Sequence, residues 1–205
     1  GIYLGFFTPT EGAGVGSVGT FLIALSRGGM KFKDFIDALM STATTTALIF
    51  LILLGAAVFN AFLGFSQLPL AAANFFKESG LAPMTVLLMM VVLFIMLGFV
   101  MDSLSMILLT VPIFWPIIAV LDFGLQPEDL KLWFGIITLI VVEVGLITPP
   151  VGLNVFVINS MAKDVPMIET FKGVVPFFVS DGIRVAFIIF FPTITLLLPQ
   201  LLASD

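Results

Sequence analysis

Long apolar runs separated by short polar connections make up this chain, and the runs differ in how polar residues interrupt them. Thr8-Pro9-Thr10-Glu11 has the form of a helix start, with Thr8 as N-cap, Pro9 at the first helical position and Glu11 three residues after the cap. The pattern predicts a helix from Pro9 to about Ser26, whose first half, Gly12 to Gly19, is built of small residues that let membrane helices approach closely. Capping accounts for Glu11; a role as ion ligand stays open beside it. Arg27-Gly28-Gly29 is a turn. Beyond it Phe32, Phe35, Ile36 and Leu39 share one helical face and Lys31, Lys33, Asp34 and Asp37 lie elsewhere, as in an amphipathic segment at a membrane interface. Ser41 to Phe65 is long enough to span, its Thr42, Thr44, Thr45 and Thr46 hydroxyls able to bond back to helix carbonyls, with Asn60 placed to reach a neighbouring helix. Leu68 to Ser79 reads as a short interfacial helix ended by Gly80.

Two apolar runs follow, Met84 to Val100 and Met106 to Leu121, joined by Met101-Asp102-Ser103-Leu104-Ser105. Pro112 and Pro116 weaken the second run, and about 16 residues there fall short of the roughly 20 that a span needs. The expected arrangement is a re-entrant helical hairpin with both ends on one side and Asp102 at its tip near the midplane. A carboxylate at that depth costs about 2.5–3.5 kcal/mol unless paired, which marks Asp102 as functional. Asp122 to Asp129 is a polar loop, and Leu130 begins a further run interrupted by Gly145-Leu146-Ile147-Thr148-Pro149-Pro150-Val151-Gly152-Leu153-Asn154. Two consecutive prolines remove two backbone donors and push the residues before them out of the helical region, so the helix must break. At membrane depth such a break is tolerated only where it is buried in protein or lines a cavity, and its free carbonyls are ion ligands. Glu143 faces either that polar interior or a neighbouring helix. Lys163-Asp164 ends the element, Pro166 to Lys172 reads as a second interfacial helix, and Pro176 to about Leu201 as the last span. Asp181 and Arg184, three apart, can pair on one helical face.

Composition fixes the class. Apolar residues make up 60% of the 205 and charged residues 10%, and the mean hydropathy is +1.24, as in an all-α integral membrane protein. Absence of cysteine excludes disulfides and thiolate metal sites, and absence of histidine removes the usual general base and zinc ligand, so no enzyme chemistry is expected. The net charge of −5 carries no basic run that would indicate nucleic acid. The chain starts at Gly1 rather than Met with no signal peptide ahead of its first apolar run, as a piece of a longer polypeptide would. Placing Arg27, Lys31, Lys33, Lys163 and Lys172 inside leaves Lys77 and Lys131 outside, with Arg184 near the inner face, in keeping with the positive-inside rule.

The strings Gly1-Ile2-Tyr3 through Phe7-Thr8-Pro9-Thr10-Glu11, Met101-Asp102-Ser103 through Pro112, and Gly145 through Asn154 occur here in the order of, and together resemble, the large membrane subunit of TRAP (tripartite ATP-independent periplasmic) transporters. The likeness covers essentially the whole chain and is to the C-terminal half of that subunit. Gly12 and Gly14 depart from the alanines common there. The resemblance implies one inverted repeat of an elevator-type secondary transporter, with a re-entrant hairpin at 84–121 and a broken transmembrane helix at 130–161. It divides the chain into a leading helix (1–30), an interfacial arm, scaffold span and short interfacial helix (31–80), a transport-domain half (81–162), and an interfacial helix with the final span (163–205).

The implied activity is sodium-coupled import of organic acids, C4-dicarboxylates or sialic-acid-like carboxylates, at the bacterial inner membrane, with Na+ as coupling ion and no other cofactor. The implied partners are a small TRAP membrane subunit, a periplasmic substrate-binding protein and the N-terminal half of the same subunit. Carried over by motif, the sodium site would use Asp102, Ser103, Ser105, Gly145, Thr148 and Pro150, and the substrate site Ser103, Thr148, Gly152 and Asn154. The chemistry agrees: sodium prefers hard oxygen ligands, inverted-repeat transporters set such groups at broken helices, and a half-helix starting at Gly152 to Asn154 presents N–H groups to a carboxylate. Three other readings remain: a single-component carboxylate carrier, a channel lined by broken helices, and an intramembrane protease using Asp102 and Asp181, which the neighbouring Arg184 disfavours.

Overall fold

The structure, a computed structural model, describes residues 5–28, 30–161 and 164–202; Gly1-Ile2-Tyr3 of the first family-like string and Lys163 of the inside cluster lie outside the described residues. Every regular element among the described residues is a helix: α1 (Pro9–Ser26), α2 (Phe32–Ser66), α3 (Leu68–Glu78), α4 (Pro83–Leu97), α5 (Ser103–Ala119), α6 (Pro127–Ile147), α7 (Leu153–Met161), α8 (Met167–Phe190) and α9 (Thr193–Leu202). Of these, α2, α6 and α8 are long and apolar enough to cross a membrane, consistent with an integral membrane protein. The chain divides into two compact units, Gly1–Leu51 and Ile52–Asp205.

In the leading unit, α1 starts where its capping box requires. The Thr8 hydroxyl accepts the Glu11 N–H at 3.3 Å, and the Glu11 carboxylate accepts the Thr8 N–H at 2.7 Å. Ser17, Thr20 and Thr42 hydroxyls donate to carbonyls of their own helices, which leaves the groove they line beside Phe21 and Phe35 without a polar demand. The segment from Phe32 and the apolar run from Ser41 form one helix. No proline falls between Phe32 and Ser66, so nothing interrupts the backbone ladder.

The second unit is arranged around α6. Trp133, Phe134, Ile137, Val141 and Val142 are buried there against Leu87 and Phe94 of α4, Met106 and Ile118 of α5, Ile188 of α8 and Leu196 of α9. Where lipid tails are as apolar as leucine, such contacts hold helices together by close packing rather than by release of water. Helices α4 and α5 are 15 and 17 residues long, about 22 and 25 Å, short of a roughly 30 Å hydrocarbon core. Phe94 and Phe114 join them edge to face, ring centroids 5.3 Å apart.

The C-terminal region differs from its expected division. One helix runs from Met167 through Pro176 to Phe190, and the interruption comes at Pro192, where Phe191 takes φ −127° and ψ 72°. Pro176 denies a donor only to the carbonyl of Lys172, an exposed residue that can find another partner, and its own φ suits a helix. Before Pro192, Phe191 is pushed out of the helical region and the chain restarts as α9.

Candidate functional site

Asp102 opens α5. With φ −71° and ψ 159° it is the N-cap: one carboxylate oxygen accepts the Ser105 N–H at 3.0 Å and the other accepts the Ser105 hydroxyl. The turn before it is closed by Val100 and Met101 N–H groups donating to the Leu97 carbonyl, each at 3.0 Å. Asp102 is exposed and Ser103 and Ser105 are half-buried. Among the described residues no lysine or arginine pairs with Asp102. Its second acceptor pairs only with a neutral hydroxyl, so the tip presents a carboxylate whose charge no cation among the described residues balances.

The break lies between α6 and α7. Thr148 is buried and extended, at φ −77° and ψ 129°, as a residue before proline must be. Its N–H donates to the Gly145 carbonyl at 3.2 Å, replacing the donor that Pro149 lacks, and its hydroxyl donates to the Val144 carbonyl. The lone pairs of that hydroxyl remain available. Pro150 withholds a donor from the Leu146 carbonyl, and among the described residues no other donor reaches the carbonyls of Leu146 or Ile147. Gly152, at φ +52°, turns the chain into α7. A Cβ there would lie 3.3 Å from the Ile147 carbonyl and from Phe171, so both conformation and space select glycine.

The helices that lead into the tip and the break meet through backbone. A Cβ added at Gly98, four residues before Asp102, would stand 2.7 Å from the Gly145 Cα; one added at Gly145 would stand 3.1 Å from the Gly98 Cα and from the Ile95 carbonyl. The end of α4 is thereby pressed onto the last turn of α6 with no side chain between. Of the candidate residues, Asp102 and Ser105 are bonded to each other, as are Gly145 and Thr148, while among the described residues no hydrogen bond links the first pair to the second or involves the side chains of Ser103 or Asn154. Pro150 and Asn154 are exposed. No group of three or more carboxylates is present among the described residues, so a cation here would be held by carbonyl and hydroxyl oxygens with Asp102.

Proline-freed carbonyls elsewhere in this unit show what an occupied one looks like. Pro192 removes the donor of Ile188, and the buried indole N–H of Trp133 supplies it at 2.8 Å. Pro112 removes the donor of Leu108, and the Asn60 amide supplies it at 3.5 Å. At Leu146 no donor among the described residues does, which leaves a buried residue's carbonyl at the break open to a ligand.

The sequence reading missed Gly98, a lone glycine near the end of an apolar run. It also missed a repetition: Gly5-Phe6-Phe7-Thr8-Pro9-Thr10-Glu11-Gly12 has the same Gly-x-x-Thr-Pro-x-x-Gly spacing as Gly145 to Gly152. Thr8 and Thr148 are both extended before their prolines. Glu143 is exposed on the stripe of α6 that includes Leu132 and Leu139, away from the packed interior, which fits a neighbour outside this chain. Arg184 and Asp181 are paired at 2.9 Å.

A family model described as "Tripartite ATP-independent periplasmic transporter, DctM component" matches residues 1–194. The chain is similar to the sialic acid TRAP transporter large permease protein SiaM of Vibrio cholerae serotype O1, 34% identical over 202 residues, 98% of this chain and 46% of that protein. It is 32% identical over 206 residues to the C4-dicarboxylate TRAP transporter large permease protein DctM of Pseudomonas aeruginosa, covering 100% of this chain and 47% of the relative. To the ectoine/5-hydroxyectoine TRAP transporter large permease protein UehC of Ruegeria pomeroyi it is 31% identical, covering 100% and 46%. The chain spans about half the length of the curated relatives it matches.

Proposed function

The chain belongs to the DctM component family of tripartite ATP-independent periplasmic transporters, and from that premise we propose that it forms part of a sodium-coupled importer of organic acids working by an elevator mechanism. One observation carries the reading: the end of α4, which leads into a tip carboxylate with no cationic partner among the described residues, is packed backbone on backbone against the last turn of α6, which leads into a helix break with undonated carbonyls. Sodium is held by Asp102, Ser103 and Ser105 from the tip and by Gly145, Thr148 and Pro150 from the break. Leu146 and Ile147 supply further carbonyl oxygens. The substrate carboxylate is taken by the N-terminal turns of α5 and α7, at Ser103 and at Gly152 to Asn154, with the Thr148 hydroxyl beside them.

Coupling follows from charge. Without the cation, Asp102 repels a carboxylate arriving at the same helix ends; with it, the site is close to neutral and the anion is accepted. The glycine contact lets α4 and α6 travel as one body, the requirement for carrying a site across a membrane against a scaffold. The names of the relatives span sialic acid, C4-dicarboxylate and ectoine, which supports a permease that recognises a carboxylate and leaves the choice of acid to a periplasmic binding protein. The remaining partners are a small membrane subunit and the other half of the permease, in the bacterial inner membrane.

The test is uptake of a labelled carboxylate into vesicles carrying the assembled transporter, with and without an inward sodium gradient. Accumulation that needs both the gradient and the binding protein is expected. Vesicles holding only these 205 residues should not accumulate substrate. Accumulation without sodium would reject the coupling, and accumulation without a binding protein would favour a single-component carrier.

A further inference from the structure

The geometry points to Asn60 as a positioning residue for the hairpin: its amide stands in for the N–H that Pro112 withholds from Leu108 and so fixes the direction of the arm that ends at Asp102. Asn60 is the sole amide in the apolar stretch of α2 from Ala47 to Phe65, where a polar side chain is retained only with a hydrogen-bonding reason. Its Nδ2 donates to the Leu108 carbonyl at 3.5 Å, while its Oδ1 is buried without a partner among the described residues. An unsatisfied acceptor is tolerated there for the sake of one donor. That donor is directed at the carbonyl whose helical partner is missing.

Position gives the bond its consequence. Leu108 lies six residues after Asp102, about 9 Å along the helix. The missing bond from residue 112 to residue 108 is the joint between the tip segment of α5 and the remainder of the helix. Thr110, within the joint, is buried and spends its hydroxyl on the Met106 carbonyl of its own helix, so it does not serve Leu108. With Asn60 in place the joint is braced from α2; without it the tip segment is held about Pro112 only by the packing of α5 against α3, α4 and α6. Trp133 performs the same substitution for Pro192 at Ile188, so the device occurs twice. The effect on transport rests on Asp102 being the ion-binding tip; the clamp does not.

The test uses the assembled transporter with a reporter Val100→Cys, a tip residue 78% exposed in a chain without cysteine. Asn60→Leu should speed maleimide labelling of the reporter at least threefold and lower uptake at least fivefold. Adding Pro112→Ala restores a backbone N–H for Leu108 and should return both to within twofold of the parent. Adding Pro116→Ala instead, which serves a different carbonyl, should return neither. Should Asn60→Leu prevent folding, the same comparison is read as recovery of folded protein. Failure of Pro112→Ala to rescue, or equal rescue by Pro116→Ala, overturns the assignment. Labelling needs no sodium, so rescue by labelling combined with an unchanged sodium dependence in Asp102→Asn would retain the clamp and reject the ion-binding tip.

Discussion

Gly98 and Gly145 touch through their backbones, with room for a hydrogen where any other residue would place a carbon 2.7 Å from a neighbouring Cα. Gly98→Ala must therefore separate α4 from α6. Overpacking of this kind costs about 1–3 kcal/mol. In addition, the tip carboxylate moves away from the break, so uptake should fall at least tenfold even where expression is retained. Gly145→Ala, with contacts at 3.1 Å, should act in the same direction and less. Uptake and thermal unfolding of the purified variants check both.

Trp133 shows what a proline-freed carbonyl needs when it is structural. Trp133→Phe keeps an aromatic ring at a position only 1% exposed but leaves the Ile188 carbonyl unpaired. The expected loss is about 1–3 kcal/mol of stability, read as a lowered Tm in detergent, with sodium affinity unchanged. A variant as stable as the parent would mean that the indole N–H contributes nothing there.

Sidedness is testable at both ends of the broken helix. Single cysteines at Gln126 and Ser160, both exposed, should label from opposite faces of the membrane if, as proposed, α6 and α7 form one broken span. Labelling of both from the same face would remove the broken-span reading.

The start of α1 was legible because Thr8, Pro9 and Glu11 act within one turn, where sequence spacing is spatial distance. The break at Thr148-Pro149-Pro150 was legible for the same reason. The Gly98–Gly145 approach was not, since it depends on how two helices 47 positions apart in the sequence cross. The roles of Asn60 and Trp133 required knowing which carbonyls stand opposite them; each proline names the carbonyl it frees, but not the side chain that reaches it. Pro176, expected to begin the last span, lies inside one continuous helix, whereas Pro192, within that expected span, marks an interruption. A proline stops a helix where the preceding residue leaves the helical region, as Phe191 does, and a proline alone does not decide this.

The central claim is that tip and break form one sodium site, and Asp102→Asn tests it most directly. Asparagine keeps an oxygen to accept the Ser105 N–H, so the N-cap of α5 survives, while the negative charge that offsets desolvation of the cation is lost. In a sodium titration of uptake at fixed substrate by the assembled transporter, the apparent affinity should fall at least tenfold, about 1.4 kcal/mol. Thr148→Val should shift it in the same direction and less, as it removes one neutral oxygen. A sodium dependence unaltered in Asp102→Asn would contradict the account and leave this carboxylate as a helix cap alone.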